Sequence, residues 1–167
     1  NLPLGDILSS GARPGRLVKR MSSGSSGMPF AVRRSFFEDH LLNLFRMRAC
    51  AGYGMRASDR IAVITETPSF RDDRRLLGRC KKILGLFRTA HIDCYREEGQ
   101  ILAELRRIRP DIVAGYPSTL AALAAGGNLG RGRPRLALTG GGVMTAAMRR
   151  RIEEGFACPV FDVYGAH

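Results

Sequence analysis

The spacing of apolar residues along the chain alternates between a strand-like and a helix-like pattern. Short apolar runs predict buried strands at 59–66, 91–96, 111–116, 136–139 and 160–164. Apolar residues at helical spacing predict helices over 31–53, 71–88, 97–109, 118–126 and 144–156. Residues 1–20 hold three glycines and two prolines and predict irregular structure. This order predicts an α/β fold with a mostly parallel sheet and helices packed on it.

Local signals set the predicted ends of several elements. Pro110 lacks an amide donor and disfavours helix at the preceding residue, so it should stop the helix over 97–109. Ser118 is placed to cap the next helix, and Gly126 and Gly127 should end it. Right-handed crossovers bring the carboxyl ends of parallel strands to one edge, where open α/β sheets bind ligands. The loops after Tyr116, Thr139 and Tyr164 should all lie there.

Composition indicates one soluble globular domain. The 167 residues are 44% hydrophobic and 25% charged, which argues against disorder, and no apolar run is long enough to predict a membrane span. Four cysteines, Cys50, Cys80, Cys94 and Cys158, form no CxxC pair and lie among apolar residues. Buried thiols in a reducing cytoplasm are therefore expected.

The chain is strongly basic, with 27 lysines and arginines against 15 acidic residues and a net charge of +12. Such a balance is compatible with nucleic acid, a membrane surface or an anionic ligand. The basic residues are spread along the chain, and aromatic residues do not alternate with them as a base-stacking surface requires. Solvated helix faces are the favoured interpretation, so no nucleic-acid partner is expected, and a basic nucleic-acid binder remains a third hypothesis.

The stretch 22–29, SSGSSGMP, combines four hydroxyls with two glycines. Glycine allows positive φ and close approach to a ligand, and consecutive amides in such a turn bind anions. The chemistry suits a polyphosphate, although the stretch is not a Walker loop because it lacks the GxxxxGK pattern. A flexible Ser/Gly linker is the alternative interpretation.

This stretch resembles the phosphate-binding loop of adenylate-forming enzymes. Two later segments are also similar to motifs of that family, in the same order and at similar spacing: LTGGGVMT at 138–145 resembles the segment that lies against adenine, and FDVYGA at 161–166 resembles the start of a YGxxE motif. The segment 115–118 falls at the family's acyl-pocket turn. The resemblance is greatest to phenylacetate–CoA ligase and its relatives linked to capsular polysaccharide synthesis. It implies a lead-in segment at 1–20 and an incomplete N-terminal adenylation domain at 21–167.

The resemblance implies a reaction in two steps. A small carboxylic acid, acyl or aryl, attacks the α-phosphate of ATP-Mg²⁺ to give an acyl-adenylate and pyrophosphate, and coenzyme A then takes the acyl group. The implied phosphate-binding residues are Ser22, Ser23, Gly24, Ser25, Ser26 and Gly27. The other implied nucleotide-binding residues are Gly140, Gly141, Gly142, Asp162, Tyr164 and Gly165. The implied substrate-binding residues are Tyr116, Pro117 and Ser118.

Two departures from the family pattern suggest a limited activity. Gly142 stands where relatives often have an acidic residue, and the glutamate of the YGxxE motif, the expected Mg²⁺ ligand, would follow His167. No catalytic residue and no metal ligand is therefore assigned within the chain. The chain alone is expected to be inactive, and the second hypothesis is a non-catalytic nucleotide- or partner-binding module derived from the same fold.

Overall fold

A computed structural model of the chain describes residues 17–21, 31–66, 88–127 and 129–163. Contacts divide the chain into two units, Asn1–Ala49 with Ala166–His167, and Cys50–Gly165. Outside the described residues lie 22–27, which were predicted to bind phosphate, the helix predicted over 71–88 as far as residue 87, and Tyr164 and Gly165.

The first unit contains a β-hairpin and most of one helix. Strand β1 (Leu17–Met21) pairs antiparallel with β2 (Ala31–Ser35), and helix α1 (Phe36–Gly52) follows directly. The structure differs from the sequence prediction at both strands, because 17–20 were expected to be irregular and 31–35 to be helical. A reciprocal capping box explains the late helix start: Ser35 N–H donates to Glu38 Oε2 at 2.7 Å, and Glu38 N–H donates to Ser35 Oγ at 3.2 Å.

Helix α1 was predicted to be largely buried, and this prediction is wrong. Phe37 is 74% exposed and Leu44 is 61% exposed, and the other exposed apolar side chains are Phe36, Leu41, Leu42 and Phe45. They occur as neighbouring pairs along the sequence, so they lie on more than one side of the helix. Phe37, Leu41 and Leu44 do have the spacing of a buried stripe, so this spacing alone does not decide whether a helix face is covered.

The second unit is built on a five-stranded parallel sheet, as the sequence predicted. Its strands are β3 (Arg60–Thr65), β4 (Arg88–Asp93), β5 (Ile112–Gly115), β6 (Leu136–Thr139) and β7 (Val160–Asp162). The order across the sheet is β4-β3-β5-β6-β7, and every neighbouring pair is parallel. The chain leaves β3 for β4 on one side and then returns to β5 on the other, so the strand order reverses between β3 and β5. The carboxyl ends of these two strands form a topological switch point.

Within the described residues, three helices connect the strands from β4 to β7: α2 (Glu98–Ile108), α3 (Pro117–Gly126) and α4 (Ala146–Phe156). Their buried apolar side chains join those of the strands in one core, which includes Ile64, Leu105, Val113, Leu120, Ile152 and Phe156. The predicted inward face of α2 is confirmed at Ile101, Leu102 and Leu105. Gly155 brings α4 close to α3, because a Cβ there would lie 2.4 Å from the carbonyl oxygen of Ala124.

The helix ends show which local signals prevail. Pro110 follows α2 as predicted, and Arg109 ends that helix in a left-handed conformation. Ser118 is not the cap of α3, because Tyr116 is the N-cap residue and Pro117 occupies the first turn, where its missing amide costs nothing. Helix α4 has a side-chain cap at Thr145, whose hydroxyl accepts from Met148 N–H at 3.2 Å.

Charged groups connect the amino ends of the strands. Asp59, which is buried, accepts hydrogen bonds from the Arg135 guanidinium and from Arg56 N–H, the latter at 2.6 Å. Arg135 also donates to the carbonyl oxygen of Gly54 at 2.8 Å. Burial alone would raise the pKa of Asp59, but the hydrogen bonds from Arg135 and Arg56 outweigh it and lower the pKa. The segment before β3 is thereby held against the start of β6.

The described cysteines agree with the predicted thiols. Cys50 and Cys158 are buried, and Cys94 is partly buried. Burial, assisted by the charge of Glu153, raises the pKa of Cys158 to about 11, so this thiol stays protonated at neutral pH. Cys80 lies outside the described residues. Among the described helices, none is long and apolar enough to cross a membrane.

Candidate functional site

Three predicted segments meet where β5, β6 and β7 end. The main chain continues the strand pairing past the sheet, because Gly140 N–H donates to Gly115 O at 3.3 Å and Val163 N–H donates to Thr139 O at 2.7 Å. The residues after each strand are thus held side by side at the carboxyl edge of the sheet. This edge is where ligands bind in open parallel sheets.

The glycines after β6 form a turn that faces the start of α3. Gly141 has φ +73°, and a Cβ on it would lie 2.8 Å from Cε1 of the Tyr116 ring. A Cβ on Gly142 would lie 3.3 Å from Cδ of Pro117. The backbone conformation and the close ring both require glycine at position 141. Tyr116 and Pro117, predicted to bind substrate, therefore lie against the turn predicted to bind adenine.

Asp162 is held at the same edge by a hydrogen bond that sequence reasoning did not identify. The Thr139 hydroxyl, which is buried, lies 2.9 Å from Asp162 Oδ1 and 3.4 Å from the carbonyl oxygen of Phe161. A hydroxyl has one proton, and the shorter contact to a carboxylate is the stronger of the two. Asp162 itself is exposed, so its carboxylate remains accessible to a ligand. A polar residue ending the apolar run 136–139 was the available signal.

A second group of side chains lies beyond the carboxyl ends of β3 and β4. The Tyr95 hydroxyl donates to Glu66 Oε1 at 2.9 Å, which joins the segments that follow β3 and β4. This hydrogen bond, together with the negative charge of Glu66, raises the pKa of Tyr95. Burial and the charges of Asp93 and Glu66 raise the pKa of the nearby Cys94 thiol. Cys94 is therefore protonated at neutral pH and is a poor nucleophile.

A cavity of about 290 Å³ opens beside the first turns of α3. Residues of α3 line one side, and residues of α2 and of the segment before it line the other. Six of the lining residues are Ser118, Thr119, Ala122, Cys94, Arg96 and Ile101. Ser118, predicted to bind substrate, thus lies in the cavity wall.

Comparison with known proteins identifies the fold. No family model matches the chain, and no curated protein matches it. Solved structures do match: 2-hydroxyisobutyryl-CoA ligase in complex with 2-HIB-AMP and CoA has a TM-score of 0.64 at 16% identity, covering 90% of this chain and 34% of that one. The anthranilate CoA ligase AuaEII with anthranoyl-AMP has a TM-score of 0.62 at 20% identity, covering 89% and 28%. An o-succinylbenzoate CoA synthetase from Bacillus subtilis has a TM-score of 0.61 at 20% identity, covering 88% and 29%.

The fold is that of part of an adenylate-forming enzyme domain. The chain spans about a third of the length of these CoA ligases. In this adenylate-forming fold, the described residues bring together Tyr116, Pro117, the glycine turn 140–142 and Asp162. Within the described ranges there is no group of three or more His, Cys, Asp or Glu side chains that could hold a metal ion.

Proposed function

We propose that the protein carrying this chain activates a small carboxylic acid with ATP and transfers the acyl group to coenzyme A. The observation that carries the proposal is the contact between the glycine turn and Tyr116 at the edge where three parallel strands end. Two segments matched to family motifs from sequence, 138–145 and 115–118, thereby become neighbours in space. The matching of the fold to CoA ligases with bound acyl-adenylates supports the same reaction.

The glycine turn supplies a flat backbone surface for the adenine. Gly141 and Gly142 are exposed and have no side chains above their peptide planes, so an aromatic base can approach the main chain. Asp162, oriented by Thr139, offers a carboxylate that can accept hydrogen bonds from the nucleotide. Tyr164 and Gly165 complete the proposed nucleotide-binding set. These residues position ATP, and positioning is a large part of catalysis in phosphoryl and adenylyl transfer.

In this proposal, the hydroxyls and amides of residues 22–27 bind the phosphates of ATP. Hydrogen bonds from several donors neutralise charge on the pyrophosphate as it leaves, and Mg²⁺ would add positive charge there. The acid is held by Tyr116, Pro117 and Ser118 with its carboxylate toward the α-phosphate. The proposal also places the protein in the branch of phenylacetate–CoA ligase and its relatives. It further assigns the protein to the cytoplasm.

A pyrophosphate-release assay on the full-length gene product tests the reaction. A panel of aryl and acyl acids is supplied with ATP, Mg²⁺ and coenzyme A, and at least one acid should stimulate release. Gly141→Val should abolish release, because it introduces a β-branched side chain at φ +73° against Tyr116. Gly99→Ala is the control, since a Cβ at Gly99 meets nothing within 4 Å.

Gly142 favours a second candidate, a nucleotide-binding module without turnover, because it offers no side chain where relatives often have a carboxylate. ATP binding that is lost in Gly141→Val, with no pyrophosphate release for any acid, would support this candidate. Failure to bind ATP at all would contradict both functions.

A further inference from the structure

Strand β7 carries Asp162 to the carboxyl edge of the sheet, although it is short and has one neighbouring strand. It consists of three residues and, among the described strands, pairs only with β6. Side chains alternate between the two faces of a sheet, so Val160 and Asp162 lie on one face and Phe161 lies on the other. Val160 is 3% exposed and belongs to the core. The position of Asp162 therefore also depends on what holds Phe161 on the opposite face.

The ring of Tyr53 packs against Phe161 on that face. The two rings are stacked, with their centroids 4.6 Å apart and their planes 18° from parallel. Tyr53 directly follows the last residue of helix α1, in a turn closed by main-chain hydrogen bonds. Tyr53 N–H donates to Cys50 O at 3.1 Å, and Met55 N–H donates to the same oxygen at 3.0 Å. These two hydrogen bonds fix the main chain that carries the Tyr53 ring.

Phe161 connects this ring to the proposed nucleotide site. The carbonyl oxygen of Phe161 lies 3.4 Å from the Thr139 hydroxyl, which lies 2.9 Å from Asp162 Oδ1. This carbonyl and the Asp162 amide belong to one planar peptide group, so a displacement of Phe161 moves the start of Asp162 with it. Tyr53 and the Asp162 side chain lie on opposite faces of the sheet. Tyr53 can therefore act on the carboxylate only through Phe161.

We propose that Tyr53 is a positioning residue for the nucleotide, because its ring holds Phe161 and thereby fixes Asp162 at the carboxyl edge. This proposal rests on the proposed function, in which Asp162 accepts hydrogen bonds from the nucleotide. Loss of the ring should weaken the binding of ATP and leave the chemical step unchanged. A stacked pair with a merely structural role would change the stability of the protein alone.

Tyr53→Leu in the full-length protein removes the stacked ring and keeps an apolar side chain. It should raise the KM for ATP about two- to tenfold, the value of one aromatic pair, and leave kcat unchanged. Tyr53→Phe keeps the ring and should restore the wild-type KM. Phe37→Leu is the matched control, because it removes a ring from a position of α1 that is 74% exposed, and it should leave the KM unchanged.

Phe161→Leu removes the other ring of the pair, and it tests the same contact if Tyr53→Leu does not fold. It should raise the KM as Tyr53→Leu does. The double variant should show no further rise, since both changes break one contact. Effects that multiply in the double variant would overturn the proposal, because Tyr53 would then act without Phe161. A Tyr53→Leu variant that is less stable to urea but has the wild-type KM would also overturn it.

Calorimetric binding of ATP, measured beside pyrophosphate release, lets the two proposals fail separately. Equal ATP affinity in Tyr53→Leu and Phe37→Leu, with normal turnover, would overturn the role of Tyr53 and leave the reaction standing. Weaker ATP binding in Tyr53→Leu than in Phe37→Leu, without turnover of any acid, would support the role of Tyr53 and contradict the reaction. A full-length protein without substitutions that binds no ATP would contradict both.

Discussion

Replacing Gly155 by alanine should destabilise the second unit, although alanine favours helix. The added Cβ would lie 2.4 Å from the carbonyl oxygen of Ala124 and 2.7 Å from its Cβ. Both atoms belong to helix α3 and cannot turn away as the end of a flexible side chain can. Overpacking of this kind costs about 1–3 kcal/mol, while the gain in helix propensity is at most about 1 kcal/mol. We expect a net loss of about 1–2 kcal/mol in the free energy of unfolding.

Gly99→Ala is the matched comparison, because it makes the same chemical change in helix α2 with nothing within 4 Å of the new Cβ. It should leave the free energy of unfolding unchanged or raise it by up to about 1 kcal/mol. Urea unfolding of the two variants, followed by far-ultraviolet circular dichroism, measures the difference directly. If Gly155→Ala were as stable as Gly99→Ala, α3 and α4 could not be in the close contact that the structure shows.

Four further substitutions probe the edges of the sheet. Asp59→Ala should cost about 2–3 kcal/mol of unfolding free energy, since it leaves a partly buried arginine without its carboxylate. Because folding lowers the pKa of Asp59, its contribution to the free energy of unfolding is complete above the ordinary carboxyl pKa of about 4 and is lost as pH falls through the folded pKa. Acidification should therefore destabilise the wild type more steeply than Asp59→Ala. Thr139→Val removes the hydroxyl bound to Asp162 and should cost about 1 kcal/mol by urea unfolding. Gly141→Ala should raise the KM for ATP about tenfold, since strain at φ +73° costs about 1–2 kcal/mol. Adding Tyr116→Ala to this variant should restore only the part of the KM change that is due to the clash with the ring. Full restoration of the KM would refute the strain.

The parallel strands were predictable because burial on both faces leaves an uninterrupted apolar run. Residues 61–64 and 112–114 are examples, and both occupy strands in the middle of the sheet. The order of the strands was not predictable in the same way, because every parallel order has the same apolar pattern. The switch point between β3 and β5 therefore became visible only in the structure.

The wrong predictions have local physical causes. Ser118 is a good capping residue, but Pro117 is better placed in the first helical turn and moves the cap to Tyr116. The burial of helix α1 was predicted from apolar residues at helical spacing, but that spacing does not determine whether another element covers the helix.

Two segments named from sequence lie together at the carboxyl edge, while the side-chain contacts there were not predicted, and the binding roles of these residues stay a prediction. The turn 140–142 and Tyr116 were both named from sequence, and they are in contact. The Thr139–Asp162 hydrogen bond and the cavity beside α3 join residues about 20 positions apart or more, and no single stretch of sequence contains them. Spacing along the chain predicts which strand end carries a residue, but not which atoms meet across two strands.

The two edges of the sheet differ in the kind of interaction that holds them. At the amino edge, charged side chains connect the segments: Arg135 binds Asp59, and Arg60 donates to Asp111 at 3.4 Å. At the carboxyl edge, main-chain hydrogen bonds and glycines dominate, which leaves exposed backbone for a ligand. Since the strands separate the two edges, substitutions at the amino edge should change stability without changing the geometry of the turn. Asp59→Ala should therefore lower the unfolding midpoint and leave the ATP affinity of the folded protein unchanged, and a parallel loss of affinity would show that the two edges are coupled.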